Sequence, residues 1–285
     1  MSFISSDHSS VLSVQSAVLH RAVGNAVAAL IYPALGHRFL RLDSVHMAAH
    51  PGFGSQSRIS QQADDLADII DDYMRLMVQD DGLGKLGAIH SGYLASTDQA
   101  EMLARKIADI KAQSEQRHSV TPLYLLDPVL GDDARLYVDP DIAQIMRDDL
   151  VPLADILTPN QFELSVLTGQ PCDSLDKVMD GARLLLKHGP TFCFVTGCVE
   201  GDHSADVLVT PDSAYLFTYD KRDSGVSGAG DALAALFLAL YLSGTDSDAA
   251  AAQASKATQY LIKKATDPRS LPLFNFQDVT AALNA

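Results

Sequence analysis

The chain has 285 residues, of which 47% are hydrophobic and 20% charged, and its formal net charge is −15. It is long enough to bury a large core, its composition excludes a fibrous or disordered protein, and its acidity argues against nucleic acid or an acidic membrane as a partner. An acidic protein that handles an anionic nucleotide must gather positive potential locally, from backbone N–H groups, helix starts or a divalent metal.

Residues 1–10 are polar and serine-rich, lack the basic and apolar regions of a secretory signal, and are expected to form a flexible N-terminal segment ahead of a single domain over 11–285. Residues 11–15 and 39–45 read as strands on either side of a helix over 23–35. Over 60–77, Leu66, Ile69, Ile70, Tyr73 and Met77 form one helical stripe, with Ser60 as the expected N-cap. A strand at 86–90, an amphipathic helix at 97–116 and a compact apolar strand at 122–127 follow. The last of these ends in an acid at a loop, where α/β enzymes place function.

A helix near 141–150 and a short strand at 156–157 lead into Thr158, Pro159 and Asn160. Residues 191–196, 206–210 and 214–219 are strand-like, and some antiparallel pairing beside a parallel sheet is expected there. The stretch 228–242 is apolar nearly all round and predicts a buried helix, whereas 247–264 is amphipathic. This alternation predicts an α/β fold with a central, mostly parallel sheet and helices on both faces. Cys172, Cys193 and Cys198 are an odd set without a C-x-x-C hook, so they read as buried or incidental thiols of a cytoplasmic protein. No stretch approaches the ~20 apolar residues of a membrane span.

The strongest local signal is Gly228-Ala229-Gly230-Asp231 at the start of the apolar helix. Glycines there let backbone N–H groups converge on an anion at the positive end of the helix dipole. A carboxylate beside that anion suits a base that takes a proton from an alcohol attacking a phosphoryl group. The plainer reading is a tight turn with Asp231 as a cap.

Other segments stand with this motif: Val14-Gln15-Ser16, Val23-Gly24-Asn25, Ser44-Val45-His46 leading to His50, Ser91-Gly92-Tyr93, Asp127 to Asp132, Pro152 to Asp155, and Thr158-Pro159-Asn160-Gln161-Phe162-Glu163. In that order they resemble the ribokinase-like superfamily and, within it, the pyridoxal kinase family. The resemblance implies a three-layer α/β/α ribokinase-like fold and ATP-dependent phosphorylation of the 5′-hydroxymethyl group of pyridoxal, with pyridoxine and pyridoxamine as related acceptors. It implies Asp231 as the base, with Gly228, Ala229 and Gly230 around the transferred γ-phosphoryl group. Around the vitamin ring it places Ser16, Val23, Val45, His50 and Tyr93. Val23 and Val45 also read as core residues, and His50 as a loop histidine. Around the nucleotide it places Asp127, Thr158, Asn160, Glu163 and Thr196, with Asp127, Asp132 and Glu163 on the side of a Mg²⁺ ion that they reach through its hydration shell. Capping is the alternative for Asp127 and Glu163, and turn formation for Thr158, Asn160 and Thr196. K⁺ dependence and a homodimer are further family expectations.

The sequence departs from the family after His50, where Pro51 replaces a threonine and removes both a hydroxyl and an N–H. Met47, Ala48 and Ala49 reshape the adjoining wall, and Ala229 stands where pyridoxal kinases often carry threonine. The rival readings are a kinase for hydroxymethylpyrimidine or a sugar, and a non-catalytic protein that binds pyridoxal phosphate or a nucleotide.

Overall fold

Strand β1 (Ser10–His20) is buried on both faces for its first nine residues, as an interior parallel strand must be when helices cover each side of the sheet. The structure is a computed structural model that describes residues 9–49, 57–79, 85–132, 135–201, 203–220, 226–267 and 269–285. Beside β1 lie β2 (Arg38–Ala49) on one side and β4 (Leu86–Ser91) on the other, both parallel to it. The sheet continues from β4 through β5 (Leu123–Leu126), β8 (Ile156–Leu157) and β9 (Phe192–Glu200), all parallel. It ends in the antiparallel strands β10 (His203–Val209) and β11 (Ala214–Asp220), and on the far edge in β3 (Arg58–Ser60), antiparallel to β2. Its nine strands run in the order β11-β10-β9-β8-β5-β4-β1-β2-β3. The short strands β6 (Gly131–Asp132) and β7 (Arg135–Leu136) pair separately.

Successive strand residues point to opposite faces, so the sheet divides the interior into two cores. Val14, Ile89, Leu126, Leu157 and Val195 face one core with α2 (Ala63–Gln79), α3 (Thr97–Gln116), α4 (Pro140–Ile145), α5 (Gln161–Thr168) and α6 (Leu175–Leu186). Val11, Ala88, Leu125, Ile156 and Phe194 face the other, with α1 (Asn25–Ala34), α7 (Ala229–Leu242), α8 (Ser247–Lys264) and α9 (Phe276–Leu283). These two cores make the three-layer arrangement. Ten of α7's side chains are buried, which accounts for its lack of a polar stripe. All three cysteines are free and buried, and burial pushes the Cys193 and Cys198 thiols far above their ordinary range.

Ser60 does not cap a helix. It pairs with Val45 across β2 and β3, and α2 begins only at Ala63. The segment expected as one helix near 141–150 is α4, capped by Asp139, followed by a π-helical turn at Met146–Leu150 and a 3-10 turn at Val151–Leu153. Helices α5, α6 and α9 add to the expected set. Among the described residues no helix is long and apolar enough to cross a membrane.

Candidate active site

The chain leaves β1 to one side for β2 and returns to the other for β4, so the sheet has its topological switch between β1 and β4. The crevice outside the strand ends at such a point is where open α/β sheets take ligands. A register shift between Gln15 and Ser16 sets Ser16 opposite Val45. The loop after β4 is pinned over this pair: the Gly92 N–H donates to the Val14 carbonyl at 3.0 Å and the Ser44 hydroxyl to the Tyr93 carbonyl at 2.6 Å. Ser16, Val23 and Val45 are buried, and Tyr93 is half-buried. The structure thus brings Ser16, Val45 and Tyr93 together at the strand ends of this switch point. His50 and Pro51 lie outside the described residues. Met47 and Ala49 are half-buried and Ala48 is exposed near the end of β2, where Met47 pairs with Arg58.

The turn entering α1 joins these strand ends to the Gly228-Ala229-Gly230-Asp231 motif. A Cβ on Gly24 would lie 2.6 Å from both the carbonyl and the hydroxyl oxygen of Ser16, and its φ of 55° also calls for glycine. Asn25 locks the turn from below. Its Oδ1 accepts from the Ser13 hydroxyl at 2.8 Å, and its Nδ2 donates to Asp43 Oδ1 at 2.7 Å and to the Leu42 carbonyl at 3.0 Å. Deeper still, His90 Nδ1 is 2.7 Å from the Tyr32 hydroxyl, and burial lowers the His90 pKa to about 3. His90 is therefore a neutral packing element and no candidate base.

Gly228 starts α7 in the left-handed region, at φ 91°, and offers no side-chain cap. A Cβ there would stand 2.5 Å from the Ala22 carbonyl oxygen, so the α1 turn and the glycine motif are in direct contact. The Ala229 N–H donates to the Val226 carbonyl at 3.1 Å, which narrows the expectation that the amides of 228–230 all serve a phosphate. Gly230 is exposed, with nothing within 4 Å of where a side chain would begin. Asp231 keeps some exposure, yet it is walled in deeply enough that dehydration raises its pKa. The backbone N–H groups of Gly24 and of Asp231 itself oppose that rise. A carboxyl at this position is more basic than a free aspartate, with the two backbone donors limiting the rise.

Asp127 follows β5, and its carboxyl is pushed well above the usual range by burial, then by the nearby charges of Glu163 and Asp231. The Thr158 hydroxyl favours the charged form of Asp127 but at a geometry short of a hydrogen bond, and Thr158 Oγ1 is buried without a partner. Glu163 and Asn160 form a capping box at the start of α5. Glu163 Oε2 accepts from the Asn160 N–H at 2.8 Å, and Oε1 from the Leu130 N–H at 2.9 Å. Asn160 Oδ1 accepts from the Glu163 N–H at 2.8 Å, and its Nδ2 donates to the Gly131 carbonyl at 2.8 Å. The capping alternative is thus realised for Glu163, Asn160 proves to be the N-cap itself where a turn residue was the alternative, and both side chains are committed to the protein. Burial raises the Glu163 pKa, three backbone N–H groups oppose it, and Asp132 adds to it. Asp132 is exposed. Thr196 is tied to the same loop, its N–H donating to the Pro159 carbonyl at 2.9 Å.

Among the described residues no three His, Cys, Asp or Glu side chains gather as a metal-ligand group. Asp127, Asp132 and Glu163 therefore do not make a closed protein cage. An unpartnered Thr158 hydroxyl beside a buried carboxyl instead fits Mg²⁺, which takes few protein oxygens and keeps waters and phosphate oxygens. A recess of about 320 Å³ lined by Phe217, Tyr219, Ser255, Lys256 and Lys263 contains none of the predicted site residues. The sequence reading missed the anchoring role of Asn25 and all of Asp206, a buried acid in β10 whose one local signal is a charge inside an apolar strand.

Comparison with known proteins adds to this geometry. The family described as phosphomethylpyrimidine kinase matches residues 59–271. The chain is 31% identical to the pyridoxal kinase PdxY of Granulibacter bethesdensis over 272 residues, covering 92% of each chain. It superposes on the crystal structure of pyridoxal kinase from Entamoeba histolytica with a TM-score of 0.86 at 21% identity, covering 97% of this chain and 96% of the other. Pyridoxal kinase from Leishmania donovani in complex with ADP and pyridoxine matches with a TM-score of 0.84 at 25% identity, covering 96% and 94%.

Proposed function

The chain belongs to the phosphomethylpyrimidine kinase family and, within the ribokinase-like superfamily, to its pyridoxal kinases, and from that premise we propose that it transfers the γ-phosphoryl group of ATP to the 5′-hydroxymethyl group of a B6 vitamer. The observation that carries the reading is the contact between two turns. The Gly24 turn presses on Ser16 at the ring crevice, while the neighbouring Ala22 carbonyl packs on Gly228 at the start of α7. Acceptor and phosphoryl group would meet across that contact, beside Asp231.

In this mechanism Ser16, Val23, Val45 and Tyr93 hold the vitamin ring, with His50 as a further contact. The Asp231 carboxylate takes the proton of the 5′-hydroxyl. The alcohol oxygen forms its bond to the γ-phosphorus as the bond from that phosphorus to the β,γ-bridging oxygen breaks, and ADP leaves with the electron pair. Gly228 and Gly230 let the transferred group approach the backbone at the positive end of α7, where developing charge is stabilised. Thr158 and Thr196 line the nucleotide side. Asn160 and Glu163 act there by holding the loop that presents Thr158. Asp127, with Asp132 at the margin, would reach a Mg²⁺ ion through its hydration shell, and the ion would supply neutralisation of phosphate charge; K⁺ is a further family expectation.

The reading takes residues 11–285 as one kinase unit, supported by the continuous sheet with a core on each face. It also takes the enzyme as cytoplasmic and homodimeric, the latter checked by analytical ultracentrifugation. The test of function is ATP consumption with pyridoxal, pyridoxine, pyridoxamine, hydroxymethylpyrimidine and ribose. Pyridoxal is expected to lead. Because the matching family is described as phosphomethylpyrimidine kinase, hydroxymethylpyrimidine leading would replace the proposed acceptor. ATP bound but consumed with none of the five would make the chain a binding protein.

A further inference from the structure

Strand β9 carries an extra residue where it passes β10. Cys198 pairs with Ala205 and Val195 with Val207, so Thr196 and Gly197 both face Asp206. Such a bulge bends its strand and re-aims a side chain, and it recurs beside active sites. Gly197 sits at φ 63°, and nothing lies within 4 Å of where its Cβ would be, so backbone conformation and not crowding calls for glycine.

Asp206 closes the bulge from the partner strand. Its Oδ1 accepts from the Gly197 N–H at 2.9 Å and from the Tyr219 hydroxyl at 3.0 Å, and its Oδ2 accepts from the Ser255 hydroxyl at 2.6 Å. The side chain is thus joined to β9, to β11 and to α8, and the residue is only 2% exposed. A paired strand needs no carboxylate to complete its ladder. Burying one is costly unless it organises groups that would otherwise go unpaired. Here the unpaired group is the Gly197 amide, which the bulge withdraws from the ladder.

We infer that Asp206 is a positioning residue for ATP: by holding the Gly197 amide it fixes the bulge that presents Thr196 to the nucleotide. From the other side Thr196 is held by the Pro159 carbonyl and bridged to Asn160, so the threonine stands between two anchors. This rests on the proposed reading that Thr196 contacts ATP. Asp206 itself does not touch the reacting atoms.

The test compares wild type with Asp206→Ala, Asp206→Asn, Ser255→Ala and Tyr219→Phe, measuring KM for ATP, KM for pyridoxal, kcat, and calorimetric affinity for a non-hydrolysable ATP analogue. Asp206→Ala is expected to raise KM for ATP and weaken the analogue by about tenfold, leaving kcat and KM for pyridoxal within about threefold, the pattern of lost binding that is equal in ground and transition states. Asp206→Asn, which keeps one acceptor, is expected to recover part of the affinity. A folded Asp206→Ala with unchanged affinity for the analogue overturns the inference, as does an equal loss in both KM values. Should Asp206→Ala fail to fold, Ser255→Ala and Tyr219→Phe each remove one donor, and unchanged analogue affinity in both overturns it. A wild type that binds the analogue without phosphorylating pyridoxal defeats the proposed function while the affinity series still decides on Asp206. A wild type that does not bind the analogue defeats both.

Discussion

Two helix starts in this protein, each carrying an acid close to Asp127, treat their free N–H groups in opposite ways. At the start of α5, Asn160 and Glu163 satisfy each other's backbone donors, and Glu163 also gathers the Leu130 amide. At the start of α7, Gly228 supplies no cap and Gly230 opens to solvent. A helix leaves its first N–H groups without intrahelical partners; at α5 side chains close that end, whereas at α7 the Ala229 N–H turns to the Val226 carbonyl and the N-cap residue offers no side chain. The presence of a capping side chain at the N-cap distinguishes them.

The largest expected effect breaks the open end. Asp231→Asn should lower kcat by ~10²–10⁴-fold, the usual worth of a general base, with the affinity for an ATP analogue largely kept. Unchanged turnover removes Asp231 from the mechanism. Next, the two glycines of that motif should separate. Gly228→Ala places a Cβ 2.5 Å from the Ala22 oxygen in a left-handed conformation, costing ~1–2 kcal/mol for conformation alone and lowering the melting temperature. Gly230→Ala has room to fold and should keep the melting temperature while weakening ATP binding and turnover. Equal melting temperatures for the two variants contradict the packing described.

A smaller effect tests the closed end. Glu163→Ala strips the Leu130, Gly131 and Asn160 amides of their acceptor and should cost ~1–2 kcal/mol, or a fall of about 2–8 °C by calorimetry. The smallest concerns pH. The Asp127 pKa is raised in the folded state from its ordinary 3.8, so its contribution to stability is present below that value and is lost as pH rises through the folded pKa. Asp127→Asn should therefore be more stable than wild type near neutrality, with the gain shrinking towards pH 4, even as catalysis falls. A thermal-melt series against pH that shows the gain growing on acidification reverses the sign and refutes the raised Asp127 pKa, which burial causes first and the charges of Glu163 and Asp231 second.

Much of the architecture was legible because it is periodic. Helices α3 and α8 begin and end where the sequence analysis placed them, and α7 starts within one residue of its expected position. The three-layer prediction also stands in the two separate cores. What escaped was long-range. Ser60 looks like an N-cap until its pairing with Val45 is known, and α5 is too short for a periodic pattern. Asp231 and Asp127 stood out locally, one behind two glycines at a helix start and one at the end of an apolar strand, but Thr158 and Thr196 were named through resemblance, since no local rule joins residues so far apart. Asp206 showed only as a charge inside an apolar strand; its three donors come from β9, β11 and α8, and no spacing in the chain announces them.

The three buried thiols offer a practical handle. Cys193 and Cys198 both lie in β9, on either side of the bulge, with Cys172 buried among the residues of the same core. A thiol held protonated and away from solvent reacts only when the surrounding structure opens. The rate at which an alkylating reagent modifies Cys193 and Cys198 is thus a clock for the opening of β9, and a bound nucleotide that steadies the Thr196 turn should slow it.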